Sequence, residues 1–236
     1  MGKLIFDIET SGENFDALDK ITQDSLTSWI KREKKEGEDY EKALDDLKNG
    51  LGFSPLTGEI VAIGILDSDT GKGAVYFQAP ENNIQESEKE DIKLKPMTEK
   101  EMLEKFWEVA KYYNEFVSFN GRGFDVPFLL VRSAIHGIRP SKDLMFNRYL
   151  NNQRFDARHI DLLDQLTFYG SVRRKGGLHL WCRAFGIKSP KAEGVTGDDV
   201  GRLFKEKKFQ EIAEYNIGDL KATQKLFEYW ERYLRF

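Results

Sequence analysis

Short apolar runs alternate with long charged stretches along this chain, and the spacing inside each run assigns an element. Residues 3–8, apolar except for Lys3 and Asp7, read as a buried strand. Residues 13–50 are dense in charge but carry apolar positions at helical spacing. These are Phe15, Leu18 and Ile21, then Leu26, Trp29 and Ile30, then Tyr40, Leu44, Leu47 and Leu51. Gly37 marks a break between two helices there. Residues 59–66 are rich in β-branched side chains and read as a second strand. The turn residues at 67–73 lead into a third strand at 74–78, so 59–78 predicts a hairpin.

Residues 81–96 are polar and read as loop. Thr98 and Glu101 have the spacing of a capping box, opening a helix whose apolar face carries Met102, Leu103, Phe106, Trp107 and Ala110. A short apolar strand at 116–119 precedes the loop Asn120-Gly121-Arg122-Gly123, and Pro127 suits the first turn of the helix that follows. A last strand spans 158–162. The remainder is helical, with turns at 169–177 and 188–197. Strand, hairpin, helix, strand, helix, strand, helices is the order of a mixed α/β sheet of five strands with helices on its faces, and 13–50 is a helical insertion after the first strand.

Composition narrows this picture. The 236 residues, 40% hydrophobic and 13% aromatic, suit one large domain with a substantial core. A net charge of −4 argues against nucleic-acid binding through overall charge, while leaving room for a local basic groove. The single cysteine, Cys182, cannot form an internal disulfide. It sits in a helical pattern as a core thiol, which favours a reducing, cytoplasmic setting. No apolar stretch reaches the ~20 residues of a membrane span, and an acid as early as Asp7 argues against a leader peptide.

The candidate chemistry lies in three places. Asp7 and Glu9 are two apart on a strand, so both carboxylates project from one face. Two ionised carboxylates that close repel each other unless a cation intervenes. Asp125 follows the glycine-containing loop; an aspartate before a helix is otherwise an N-cap. Tyr215 and Asp219 are four apart on a late helix and share a face.

Together, Asp7-Ile8-Glu9, Asn120-x-x-x-x-Asp125 and Tyr215-x-x-x-Asp219 resemble the three motifs of the DEDD 3′-5′ exonucleases, in the subclass with Tyr in the third motif. The strings Phe119-Asn120-Gly121-x-Gly123-Phe124-Asp125-x-Pro127 and Tyr215-Asn216-x-Gly218-Asp219-Leu220 are most similar to the stand-alone group related to the exonuclease domain of family-B DNA polymerases. The resemblance covers residues 3–10 and 56–230. It departs at 13–50, where the compact pattern has a short turn; a lid, a substrate clamp or a protein-partner surface would each account for that segment.

The resemblance implies a ribonuclease-H-like α/β fold and two divalent cations, Mg²⁺ or Mn²⁺, held by Asp7, Glu9, Asp125 and Asp219. Asp7 would bridge both cations. Glu9 and Asp219 would complete the site of the water-activating one, and Asp125 would hold the second. Tyr215 would orient the attacking water, since a phenol with pKa near ~10 is a poor base at neutral pH. The implied substrate is single-stranded DNA with a free 3′ end, released as 5′-mononucleotides. No polymerase domain fits this length, so proofreading would act in trans or within DNA repair. An exoribonuclease is the alternative enzyme. A non-catalytic nucleic-acid-binding or scaffold module is the alternative class, and the presence of all four acids with Tyr215 argues against it.

Further substrate contacts are Thr10 after the first motif, Asn120, Phe124 as a base-stacking ring, and the basic loop Arg173-Arg174-Lys175 as a phosphate contact. Each has a plainer reading: loop residue for Asn120, core packing for Phe124, solvated turn for the basic loop. Asp161 reads as a helix cap, and His136, His159 and His179 do not fall at metal-ligand spacing.

Overall fold

Alternation along the first strand divides the core between two faces of one sheet. The computed structural model describes residues 2–33, 37–189 and 196–235. Its strands are β1 (Leu4–Gly12), β2 (Gly58–Asp67), β3 (Gly73–Phe77), β4 (Ser87–Lys89), β5 (Ile92–Pro96), β6 (Glu115–Ser118) and β7 (Arg158–Asp161), in spatial order β4-β5-β3-β2-β1-β6-β7. β1 is antiparallel to β2 and parallel to β6, so the sheet is mixed. The helices are α1 (Lys20–Glu33), α2 (Glu38–Gly50), α3 (Glu99–Ala110), α4 (Asp125–Ile135), α5 (Leu162–Leu166), α6 (Leu178–Ala184), α7 (Val200–Lys205) and α8 (Phe209–Tyr233).

Leu4, Phe6 and Ile8 of β1 pack with Phe106 and Trp107 of α3 and with Phe128 and Leu129 of α4. Ile5, one residue out of phase, packs on the other face with Ile212, Leu220 and Phe227 of α8. Asp7 and Glu9 share the phase of Ile5, so the period of two aims both acids at α8.

The expected capping box is present: Thr98 and Glu101 bond reciprocally at the start of α3. The insertion is helical as expected, with Gly37 at φ 93° before α2. Asp161 caps α5 through the amides of Leu163 and Asp164. Cys182 is fully buried. Part of the expected 188–197 turn lies outside the described residues.

The sheet has seven strands rather than the expected five, because part of 81–96 is not loop: it contains β4 and β5. The buried side chains Ile92 and Leu94 alternate with Lys93 and Lys95, a two-residue period that the surrounding charge obscures. Glu90 (φ 54°) and Asp91 (φ 64°) make the tight turn between them, without the glycine or asparagine that signals such turns. Among the described residues no helix is long and apolar enough to cross a membrane.

Candidate active site

The centre of the sheet brings three distant segments together. Asp7 and Glu9 stand on β1, and Asp219 comes down from α8; one carboxylate oxygen from each lies within 4.8 Å of the others. The pairing of β1 with β2 is irregular immediately after Glu9: Glu9 faces Ala62 but Thr10 faces Ile60. A bulge of this kind turns the strand and re-aims its side chains beside a site.

Asp125 comes from the start of α4. It is the first residue of α4 rather than its cap, and its Oδ1 accepts the Ile8 backbone N–H at 3.1 Å. That bond locks the helix start against the strand between the other two acids. Asp125 is close enough to raise the pKa of Asp7, yet it is not one of the three converging oxygens.

Asp7, Glu9 and Asp125 all have raised pKa values. Burial first, and then repulsion from Asp125, Asp219 and Glu9, holds the Asp7 carboxyl well above the usual carboxylate range. Burial and the neighbouring Asp219 do the same to Glu9. Asp125 is pushed up to about 7, chiefly by burial. Among the described residues no Lys or Arg forms a salt bridge with these three acids (Asp7, Glu9 and Asp125). Converging hard oxygen donors are the donor set that suits a divalent metal ion.

Asn216 was not anticipated from the sequence as a member of the site. It is wholly buried on α8, and its Nδ2 donates to Asp7 Oδ2 at 2.8 Å and to Glu9 Oε1 at 3.4 Å. Its approach depends on Gly64, which pairs with Asp7 across the sheet: a Cβ there would lie 1.9 Å from Asn216 Oδ1. The available signals were the position of Asn216, between Tyr215 and Asp219 on one helical turn, and a glycine inside the apolar strand 59–66. Tyr215 is nearly buried and hydrogen-bonds Asp219. Burial and then the charges of Asp219, Glu9 and Asp7 drive its pKa far up, so the phenol stays protonated.

A model of the family described as "Predicted 3'-5' exonuclease related to the exonuclease domain of PolB" matches residues 59–234. The chain belongs to this family. It is therefore a nuclease, a hydrolase of phosphodiester bonds, with an acidic cluster of the kind that holds divalent metal in such enzymes. The matched span includes Asp125, Tyr215 and Asp219, whereas Asp7, Glu9 and the inserted helices precede it. The exonuclease is also 22% identical over 238 aligned positions to "DNA polymerase 1" of Sulfurisphaera ohwakuensis, covering 92% of this chain but 27% of that protein. The chain thus spans about a quarter of its relative's length.

The remaining candidate residues are distributed unequally. Thr10 directs its hydroxyl to the Gly52 carbonyl at 2.7 Å. Asn120 is exposed in a left-handed conformation (φ 63°), with its backbone N–H donated to Asp161 at 3.0 Å. Asp161 also accepts the Arg122 amide at 2.9 Å, so one carboxylate fixes both the loop and α5. Phe124 is half-buried against Phe128, with ring centroids 5.2 Å apart. Arg173, Arg174 and Lys175 are exposed in the loop between α5 and α6, and no hydrogen bond or ion pair joins them to the acids among the described residues. Of the histidines, His159 is buried between Ser118 Oγ, at 2.7 Å, and the Leu144 carbonyl, at 3.2 Å. Burial holds it neutral, with a pKa lowered to about 3.

Proposed function

We propose that this exonuclease shortens single-stranded DNA from its 3′ end, releasing 5′-mononucleotides, with Asp7, Glu9, Asp125 and Asp219 holding two divalent cations, Mg²⁺ or Mn²⁺. The observation that carries this reading is the convergence of Asp7, Glu9 and Asp219 within 4.8 Å, with Asp125 bonded to the backbone of Ile8 between the first two. When bound, two such cations supply an activated water and neutralise charge on the leaving 3′ oxygen. Asp7 is the acid on which the charges of Asp125, Asp219 and Glu9 all act, and it is assigned as the shared ligand. Asn216 donates to its Oδ2 and so holds the carboxylate in place. Tyr215 is held as a hydrogen-bonding phenol; it orients water or a phosphate oxygen and does not act as a base. Asn120, Phe124 and Thr10 surround the acids in sequence and are assigned to the 3′-terminal nucleotide, and the exposed Arg173–Lys175 loop to phosphates further along.

The DNA polymerase relative supports DNA over RNA and a part in proofreading in trans or in repair. The single buried thiol, Cys182, supports a cytoplasmic setting.

The test uses matched 5′-labelled single-stranded DNA and RNA with Mg²⁺ or Mn²⁺, beside an Asp7→Ala control. A ladder of 3′-shortened DNA, absent with chelator and in the control, is expected. Faster cleavage of RNA would replace the DNA reading with an exoribonuclease. No cleavage of either strand by folded protein would overturn the reading altogether.

A further inference from the structure

We propose that the cleft between the inserted segment and α7 seats the nucleotide strand beside the acids. Phe53 stacks there on a base next to the scissile bond, and Lys48, Arg202 and Lys205 hold its phosphates. This rests on the exonuclease reading above and assigns the insertion a direct part in substrate binding.

The cleft, about 310 Å³, begins at Thr10 and Ser11, the residues that follow Glu9 on β1. One wall is the end of α2 and the short 3₁₀ turn Leu51–Phe53; the other is α7 with the turn before it. The strand path therefore continues directly from the carboxylates into a channel that the insertion builds.

Phe53 is 59% exposed, yet its support is rigid. Thr10 Oγ1 donates to Gly52 O at 2.7 Å, and Thr57 Oγ1 donates to Leu51 O at 2.8 Å. A Cβ on Gly12 would lie 2.7 Å from the Gly52 nitrogen, so the two backbones touch with no room for a side chain. The Phe53 ring meets Phe124 edge to face, with centroids 6.4 Å apart and planes at 63°. Phe124 immediately precedes Asp125, so this aromatic pair borders the acids. A rigid, solvent-facing ring beside such a site is a stacking platform that loses little entropy on binding.

The charge around Phe53 suits a phosphodiester backbone. Lys48, Arg202 and Lys205 line the cleft with one acid, Asp198. Lys48 is paired with Asp16 at 3.0 Å, and Arg202 with Asp199 at 3.0 Å and Glu206 at 3.2 Å. These are exposed pairs of the weak kind, readily exchanged for phosphate. Lys205 forms no salt bridge among the described residues. Cations interleaved with an exposed aromatic are the recognition chemistry of single strands, whose unpaired bases present a face; a duplex would keep its bases stacked away from Phe53.

The experiment compares the intact enzyme with Phe53→Ala and Phe53→Trp in Mn²⁺. Substrates are single-stranded DNA carrying either normal bases or an abasic site at the terminal or penultimate 3′ position. In the unmodified enzyme one abasic position is expected to raise KM roughly tenfold. Phe53→Ala should raise KM by a similar factor on normal DNA, leave kcat nearly unchanged and abolish the base-versus-abasic difference. Phe53→Trp should restore it. Arg202→Glu and Lys205→Glu should each raise KM and lower the salt dependence of binding by about one ion. A Phe53→Ala enzyme with unchanged KM, or with the base-versus-abasic ratio intact, overturns the proposal while leaving the exonuclease standing. Loss of thermal stability and kcat in Phe53→Ala without a change in that ratio also overturns it, in favour of a packing role. If the unmodified enzyme cuts no strand, the exonuclease reading itself has failed.

Discussion

Glu99 and two acids of the candidate site are buried to similar depth: Glu99 is 5% exposed, Glu9 6% and Asp125 3%. Their surroundings differ completely. Glu99 accepts a pair of hydrogen bonds from Arg132 at 2.8 and 2.7 Å, the Ile60 amide at 2.8 Å and contact from His136 at 2.7 Å. Against the cost of burial, these partners hold its pKa below the ordinary value. Asp7, Glu9 and Asp125 have amides and Asn216 but no cationic side chain among the described residues, and all three are pushed upward. A buried acid supplied with its own cation clamps β2, α3 and α4 together. Buried acids without one are an unfinished ion cluster, completed by a ligand. The clamp serves the cluster, because Arg132 lies on α4, the helix that presents Asp125.

The comparison predicts stability changes of opposite sign. Glu99→Gln should destabilise the protein by about 3–5 kcal/mol, because it strands a largely buried guanidinium. Asp7→Asn should leave the metal-free protein as stable or more so, because it relieves repulsion, while activity disappears. Chemical denaturation of both variants without metal checks this, and equal losses would break the contrast.

Divalent metal should next stabilise the unmodified protein by about 2.7 kcal/mol at a hundredfold excess over Kd. It should have little effect on Asp7→Asn and an undiminished one on Glu99→Gln. Thermal unfolding with and without Mn²⁺ measures it.

A smaller effect is expected at Gly64→Ala. The new methyl displaces Asn216 and should cost about 1–3 kcal/mol in stability. It should also weaken Mn²⁺ binding, read by calorimetry without substrate; unchanged Mn²⁺ affinity would exclude Asn216 as a positioning residue for Asp7.

The finest distinction is in pH. Glu99 has a lowered folded pKa, so its contribution is fully present above its unfolded value near 4.5 and is lost as pH falls through the folded one. The stability gap between the unmodified protein and Glu99→Gln should therefore be constant near neutrality and close in acid. A gap that narrows already between pH 8 and 6 would contradict the assignment.

Local spacing was enough to expose Asp7 and Glu9 as neighbours, because a strand has a period of two, and Tyr215 and Asp219 as neighbours, because a helix brings i and i+4 together. The same logic located the hairpin, the capping box and the helical insertion. It failed where the local signal was faint. β5 has only two apolar residues, Ile92 and Leu94, and its turn through Glu90 and Asp91 lacks the usual residues. Glu99 also left no mark, since a glutamate in the first turn of a helix reads as ordinary dipole chemistry.

What the sequence determined by itself was the inventory: which acids exist, on which elements, and which of them share a face. Those facts follow from backbone periodicity, which acts within a few residues. The tertiary structure decided which faces meet. It set Asn216 against Asp7 through the space left by Gly64, gave Arg132 to Glu99 rather than to the candidate site, and fixed Phe53 beside Phe124, 71 positions further along the chain. Those pairings depend on close packing between segments separated by tens to hundreds of residues, and no local period encodes them.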